Sequence, residues 1–143
     1  MRFRTSTLPP PYFALKNLSL LPNSWSEFPA VSGTFSREQP PPPCNANSFC
    51  GSELGRHATI LGSVAAAYSN PIKAKHYYLA LDALAIFEHF PTSQELRAEA
   101  HITSATWEKR RVGCEIQGFT LQGRYAGKMN VSYAIMSEVK LLN

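Results

Sequence analysis

A chain of 143 residues has room for one ordinary domain and excludes a multidomain arrangement. Its 44% hydrophobic and 17% charged residues supply a core and exclude a disordered chain, while a formal charge of +4 falls short of the dense basic stripe of a nucleic-acid binder. Three cysteines, Cys44, Cys50 and Cys114, are too few for a disulfide-built scaffold and fit a reducing cytoplasm.

The basic start, Met1-Arg2-Phe3-Arg4, runs into Pro9, Pro10 and Pro11 before the apolar core of a secretion signal can form. No stretch reaches the roughly 20 apolar residues that span a bilayer, so a soluble, cytoplasmic protein is expected. Most of the eleven prolines precede Cys44, which makes residues 1–50 loop-rich. Within that part, 12–21 and 30–35 are short apolar or alternating stretches that read as strands, the first with a helical turn as its alternative. The run Pro40-Pro41-Pro42-Pro43 favours extended backbone, as a spacer or as a ligand for a proline-binding module.

Over 52–68 the pattern changes. Leu54, His57, Ala58, Leu61, Val64, Ala65 and Tyr68 recur at steps of three and four, which predicts a helix with Ser52 as N-cap and Asn70-Pro71 as its stop. The opposite face, with Thr59, Gly62, Ser63, Ala66 and Ala67, is also poor in charge, so the helix can be enclosed by protein on most sides. Strand signals then run almost to the end: 76–90, with a helix over 77–87 as the alternative, followed by 96–109, 111–121 and 128–136, the last two separated by Gly123 and Gly127. Strands joined by short turns make an antiparallel sheet.

A loop-rich start, one long small-residue helix and a run of antiparallel strands together resemble the hot-dog fold, an α+β architecture in which a curved antiparallel sheet wraps around one long central helix. Leu8-Pro9-Pro10-Pro11-Tyr12-Phe13 looks like the opening motif of FabZ-type 3-hydroxyacyl-ACP dehydratases. His76 to Asp82 with Ile86 to Pro91 looks like their strand after the helix, and Leu96 to Ala100, Trp107 to Arg111, Gly118-Phe119 and Gly127-Lys128 are similar to their last strands. The resemblance implies a single hot-dog domain over 1–143, with the central helix in 51–70 and strands in 72–143. The family's dehydratases carry a His on the loop before the helix and an acid on the helix. Here residues 43–51 hold no His, and the helix offers Glu53, Arg56 and His57 instead. The related thioesterases place Asn or His and Gly at the helix entrance and an acid inside it, an arrangement that Asn47, Cys50, Gly51 and Glu53 resemble.

Glu53 and His57 stand four residues apart, so a helix puts them on one face as a coupled acid–base pair. In a hydrolase the pair would activate water; in a dehydratase His57 would take the substrate's alpha proton. The structural alternative makes Glu53 a first-turn charge and His57 an interior histidine. Free N–H groups around Gly51 to Leu54 could polarise a thioester carbonyl, with Asn47 orienting water or the carbonyl. A Cys50–His57 nucleophile and a metal held by Cys44, Cys50 and His57 lack supporting motifs, so neither metal nor cofactor is expected. Lys109, Arg110 and Arg111, with Arg97 and Arg124, would gather positive charge near strand ends, suited to acyl carrier protein or coenzyme A, or else form a solvated strand face. Trp107 and Phe119 read as core residues rather than a nucleic-acid platform.

The resemblance thus implies an enzyme acting on an acyl-ACP or acyl-CoA thioester, most like a 3-hydroxyacyl-ACP dehydratase of fatty-acid or polyketide-type biosynthesis with a rearranged catalytic set. A thioesterase and a non-catalytic hot-dog binding or assembly subunit are the alternatives. His57, Glu53 and Asn47 are the catalytic candidates, and Cys50, Gly51, Arg56 and Leu61 the substrate-binding ones. The acyl chain would lie along the helix in a tunnel at a subunit boundary of a homodimer or higher homo-oligomer.

Overall fold

The computed structural model describes residues 15–21, 27–36, 51–88 and 95–137. Asn47, Cys44, Cys50 and the proline run 40–43 lie outside them. Six antiparallel strands, β1 (Leu15–Leu21), β2 (Ala30–Ser36), β3 (His76–Phe87), β4 (Glu95–Thr106), β5 (Arg111–Phe119) and β6 (Tyr125–Ser137), form one sheet in the order β1-β2-β4-β5-β6-β3. The helix α1 (Gly51–Ser69) joins β2 to β3 and lies against the middle of the sheet, chiefly on β4 and also on β2 and β5. This is the α+β arrangement expected.

Each element forms where its periodicity places it, with instructive shifts at the ends. α1 starts at Gly51, so Ser52 is already inside the helix rather than its N-cap. Its end is closed by Asn70, as expected: the Asn70 N–H donates to the Ala66 carbonyl, its Oδ1 accepts from the Ile72 N–H, and its Nδ2 donates to the Tyr78 hydroxyl. The helical alternative for 77–87 is wrong; those residues pair with β6 along β3's length. Gly127, expected to separate strands, instead lies within β6 at φ 152°, opposite Gly118 and Phe87, and the hairpin turn is made by Gly123 at φ 91°. Arg110, at φ 57°, closes the β4–β5 connection after a 3-10 turn at Trp107–Lys109.

Alternation then sorts the sheet's two faces. Leu96, Ala98, Ala100 and Ile102 of β4, Val112, Cys114 and Ile116 of β5, and Met129, Val131, Tyr133 and Ile135 of β6 are buried in one core with Leu54, Ala58, Leu61, Ala65 and Ala66 of α1. Away from β3, whose outer side is apolar, the other face is polar and laced by ion pairs: Lys16 with Glu95 at 2.8 Å, Arg97 with Glu99 at 2.5 Å, and Lys128 with Glu115 at 3.5 Å. Phe119 belongs to that outer face rather than to the core, half-buried, with the Arg97 guanidinium 4.8 Å from its ring centre and Tyr125 beside it. Trp107 does pack against the core, edge-on to Phe28.

The helix approaches the sheet closely because its buried side is built of small residues. The Tyr133 hydroxyl donates to the Thr59 carbonyl at 2.5 Å and the Cys114 thiol to the Gly62 carbonyl at 3.5 Å, two bonds from sheet to helix backbone. A side chain at Gly62 would collide with the Tyr133 hydroxyl and press on Ile116. Thr59 and Ser63 satisfy their hydroxyls within the helix, on the carbonyls of Gly55 and Ile60. From β2, Gly33 performs the same service, since a Cβ there would meet Leu15 at 2.9 Å, Leu18 at 3.0 Å and Leu61 at 3.3 Å.

Gly62→Ala is therefore expected to destabilise the protein by about 1–3 kcal/mol, and Tyr133→Phe in the same chain to recover part of that loss; urea unfolding of the two single variants and the double variant measures the coupling. A strictly additive cycle would contradict the contact. Burial pushes the Cys114 thiol from its ordinary 9.0 up to about 12. The folded state then keeps a proton that the unfolded chain has lost, so this thiol's contribution is fully present below pH 9.0 and lost as pH rises toward 12. Peptide mapping after iodoacetamide treatment at pH 8 should find Cys114 unmodified in native protein and modified after unfolding, and Cys114→Ala should flatten part of the alkaline loss of stability.

Candidate functional site

The first two turns of α1 hold the residues singled out for chemistry. Glu53 Oε1 and His57 Nε2 are 3.5 Å apart, the contact that an i, i+4 spacing on a helix allows. Both face the interior: the imidazole is 0% exposed and the carboxylate 7%. The Phe35 ring of β2 lies against His57 with centroids 5.2 Å apart. A charged or proton-exchanging pair in so dry a place is electrostatically strong, because little water screens it.

One residue further round the helix, Leu54 and Ala58 line an open apolar groove with Gly55. Its other walls are Phe35 of β2, Leu96 and Ala98 of β4, Ile116 and Gly118 of β5, and Ala126 to Met129 of β6, and it is open to solvent along one side. Phe35 is shared, touching His57 and lining the groove. The groove therefore borders the Glu53–His57 pair, at the helix end where unbonded backbone N–H groups are found.

The remaining sequence candidates divide. Gly51 is the first helical residue, at the entrance as expected. Arg56 is exposed on the outer side of the helix. Leu61 is fully buried against Gly33 in the core and does not line the groove. Asn47 and Cys50 fall outside the described residues. The basic residues do not form one cluster: Lys109, Arg110 and Arg111 sit at the β4–β5 connection, whereas Arg97 and Arg124 lie toward the opposite end of the strands, Arg97 paired with Glu99. The groove itself was missed by sequence reasoning. The small residues Gly55, Ala98, Gly118 and Ala126 were its signal, but they become one surface only when three strands and a helix meet.

No protein-family model matches the sequence, and no curated protein matches it. Solved structures do share its fold. A thioesterase of Haemophilus influenzae superposes with a TM-score of 0.65 at 12% identity, covering 84% of this chain and 78% of that one. The PaaI protein of the E. coli phenylacetic acid degradation operon gives 0.61 at 14% identity, covering 82% of each chain. Zebrafish thioesterase superfamily member 2 gives 0.63 at 9% identity, covering 84% of this chain and 81% of the other. The protein has the hot-dog fold. At such low identity the likeness establishes the architecture and not the reaction; two of these three structures are named as thioesterases and none as a dehydratase.

Proposed function

We propose that this protein is a hot-dog acyl-thioester hydrolase acting on coenzyme A or acyl carrier protein thioesters. The observation that carries the reading is the Glu53–His57 pair, 3.5 Å apart, beside an apolar groove at the N-terminal end of the central helix. In the proposed reaction His57 accepts a proton from water as the water oxygen bonds to the thioester carbonyl carbon. The tetrahedral oxyanion is held by backbone N–H groups of the first helical turn around Gly51, with Asn47 assigned to orient the water or the carbonyl. The C–S bond then breaks, the electron pair leaves with sulfur, and the proton on His57 passes to the thiolate. A carboxylic acid and a free thiol result. Glu53 orients the imidazole and stabilises it while it carries the proton.

The dehydratase reading gives way to this one, since the named structural similarities are to thioesterases. The complete burial of His57 favours a second reading, a hot-dog subunit that binds acyl groups without turning them over. Incubation with saturated and 3-hydroxyacyl coenzyme A thioesters separates the three: free thiol marks hydrolysis, enoyl product dehydration, and ligand binding without either marks the binding subunit. For the hydrolase, His57→Ala and Glu53→Gln should each lower kcat by about 10²–10⁴ while circular dichroism stays native. Unchanged turnover in both variants would remove the site assignment.

The assembly we propose is a homodimer built on β3. This strand of twelve residues is at the sheet's edge, and its outer face carries Tyr77, Leu79, Leu84 and Ile86, with Leu79 56% and Leu84 64% exposed. A long apolar edge strand invites pairing, and two copies of one strand running antiparallel satisfy a two-fold axis. Its far end, Ala85 and Ile86, pairs with Met129 and Lys128 of the groove wall, so the dimer would bring a second copy near the groove. Light scattering after gel filtration should give twice the chain mass for the native protein and one chain mass for the Leu79→Lys, Leu84→Lys double variant. A double variant that remains dimeric would exclude β3 as the interface.

A further inference from the structure

Gly55 occupies an unusual place. It lies in the second turn of α1, where glycine is an unfavourable helix residue, yet no positive φ and no close approach requires it. Gly62 and Gly33 are explained by the atoms that a Cβ would strike. At Gly55 a Cβ would meet nothing within 4 Å among the described residues. The empty space in front of it is the apolar groove, whose wall it forms with Leu54 and Ala58. Across the groove, Gly118 and Ala126 are also reduced to the backbone or one methyl group, and a Cβ on Gly118 would already touch Leu96 at 3.4 Å.

From this we infer that Gly55 is the specificity-determining residue of the acyl subsite: the missing side chain keeps the groove open for an apolar acyl tail of medium length. The inference rests on the acyl-thioester reading above and adds the class of acyl group to it. Among the described lining residues the single charged one is Lys128, and its ammonium is held by Glu115 at 3.5 Å on the outer face. Among the described residues the groove therefore offers no unpaired polar side chain to replace the water around a hydroxylated or carboxylated tail end, and burying such a group unpaired is costly. An apolar tail gains by leaving water along its whole length. The lining crosses three adjacent strands, β4, β5 and β6, roughly 10 Å at the usual spacing between strands, a longer apolar path than a two-carbon acyl group covers.

The test is to fill the groove from the helix. Gly55→Leu places a favourable helix residue where space already exists, so the melting temperature should be unchanged or raised while the groove closes; Gly55→Ala closes it partly. With acetyl, hexanoyl and decanoyl coenzyme A as substrates, Gly55→Leu should lower the decanoyl-to-acetyl ratio of kcat/KM by about tenfold or more, with Gly55→Ala between it and the native protein. A folded Gly55→Leu protein with the native chain-length ratio would overturn the inference. Calorimetric titration with sodium decanoate separates this failure from failure of the hydrolase reading. Decanoate that binds the native protein and is at least about tenfold weaker on Gly55→Leu supports the groove even where no thioester is hydrolysed. Equal binding to both proteins, or none to the native one, overturns it even where thioesters are hydrolysed.

Discussion

The Tyr133 hydroxyl reaches the backbone of the central helix only because residue 62 has no side chain. That contact, on the Thr59 carbonyl, and the Cys114 thiol on the Gly62 carbonyl about one turn further on together set how deeply α1 sits on the sheet. Both donors are neutral and buried, and burial holds both protons in place by raising the Tyr133 and Cys114 pKa values. Two polar bonds in an apolar core give the helix a definite height and rotation, where alanine and leucine contacts alone would tolerate sliding. Everything on α1 inherits that placement, including the direction in which Glu53, Leu54 and Gly55 point.

From that placement follows the division of labour around the first turns. The strip carrying Glu53 and His57 turns toward β2 and is sealed by Phe35. The neighbouring strip, Leu54, Gly55 and Ala58, faces the groove over β4 to β6. An acid–base pair in a dry interior and an apolar channel beside it are separated by one residue of helical rotation, about 100°. In the proposed hydrolysis this adjacency would hold the acyl group beside the groove's mouth while His57 carries the proton. It also explains how so few charges are enough, because the outer sheet face spends most of its charges on pairing with one another.

Much of this was legible in the residues. The helix follows from Leu54, His57, Ala58, Leu61 and Ala65, and the strands from alternation in Leu96 to Ile102 and Val112 to Ile116. The Glu53–His57 contact was legible too, since i, i+4 is a property of any helix. The ends of elements were less so: Gly127 looked like a break because glycine usually is one, yet in β6 it is accommodated within the ladder opposite Gly118.

What the sequence by itself determined is the set of elements and the Glu53–His57 contact that helical geometry brings about, because both depend on neighbours within a few positions. Only the tertiary structure decided that β3 crosses to the far edge, that the basic residues divide between two ends of the sheet, that Phe119 turns outward onto Arg97, and that Gly55 opens onto a groove. These depend on strand order and register, which arise from contacts between residues far apart in the chain. A glycine in a helix carries no sign of whether it touches a tyrosine, as Gly62 does, or empty space, as Gly55 does, until the sheet that faces it is in place.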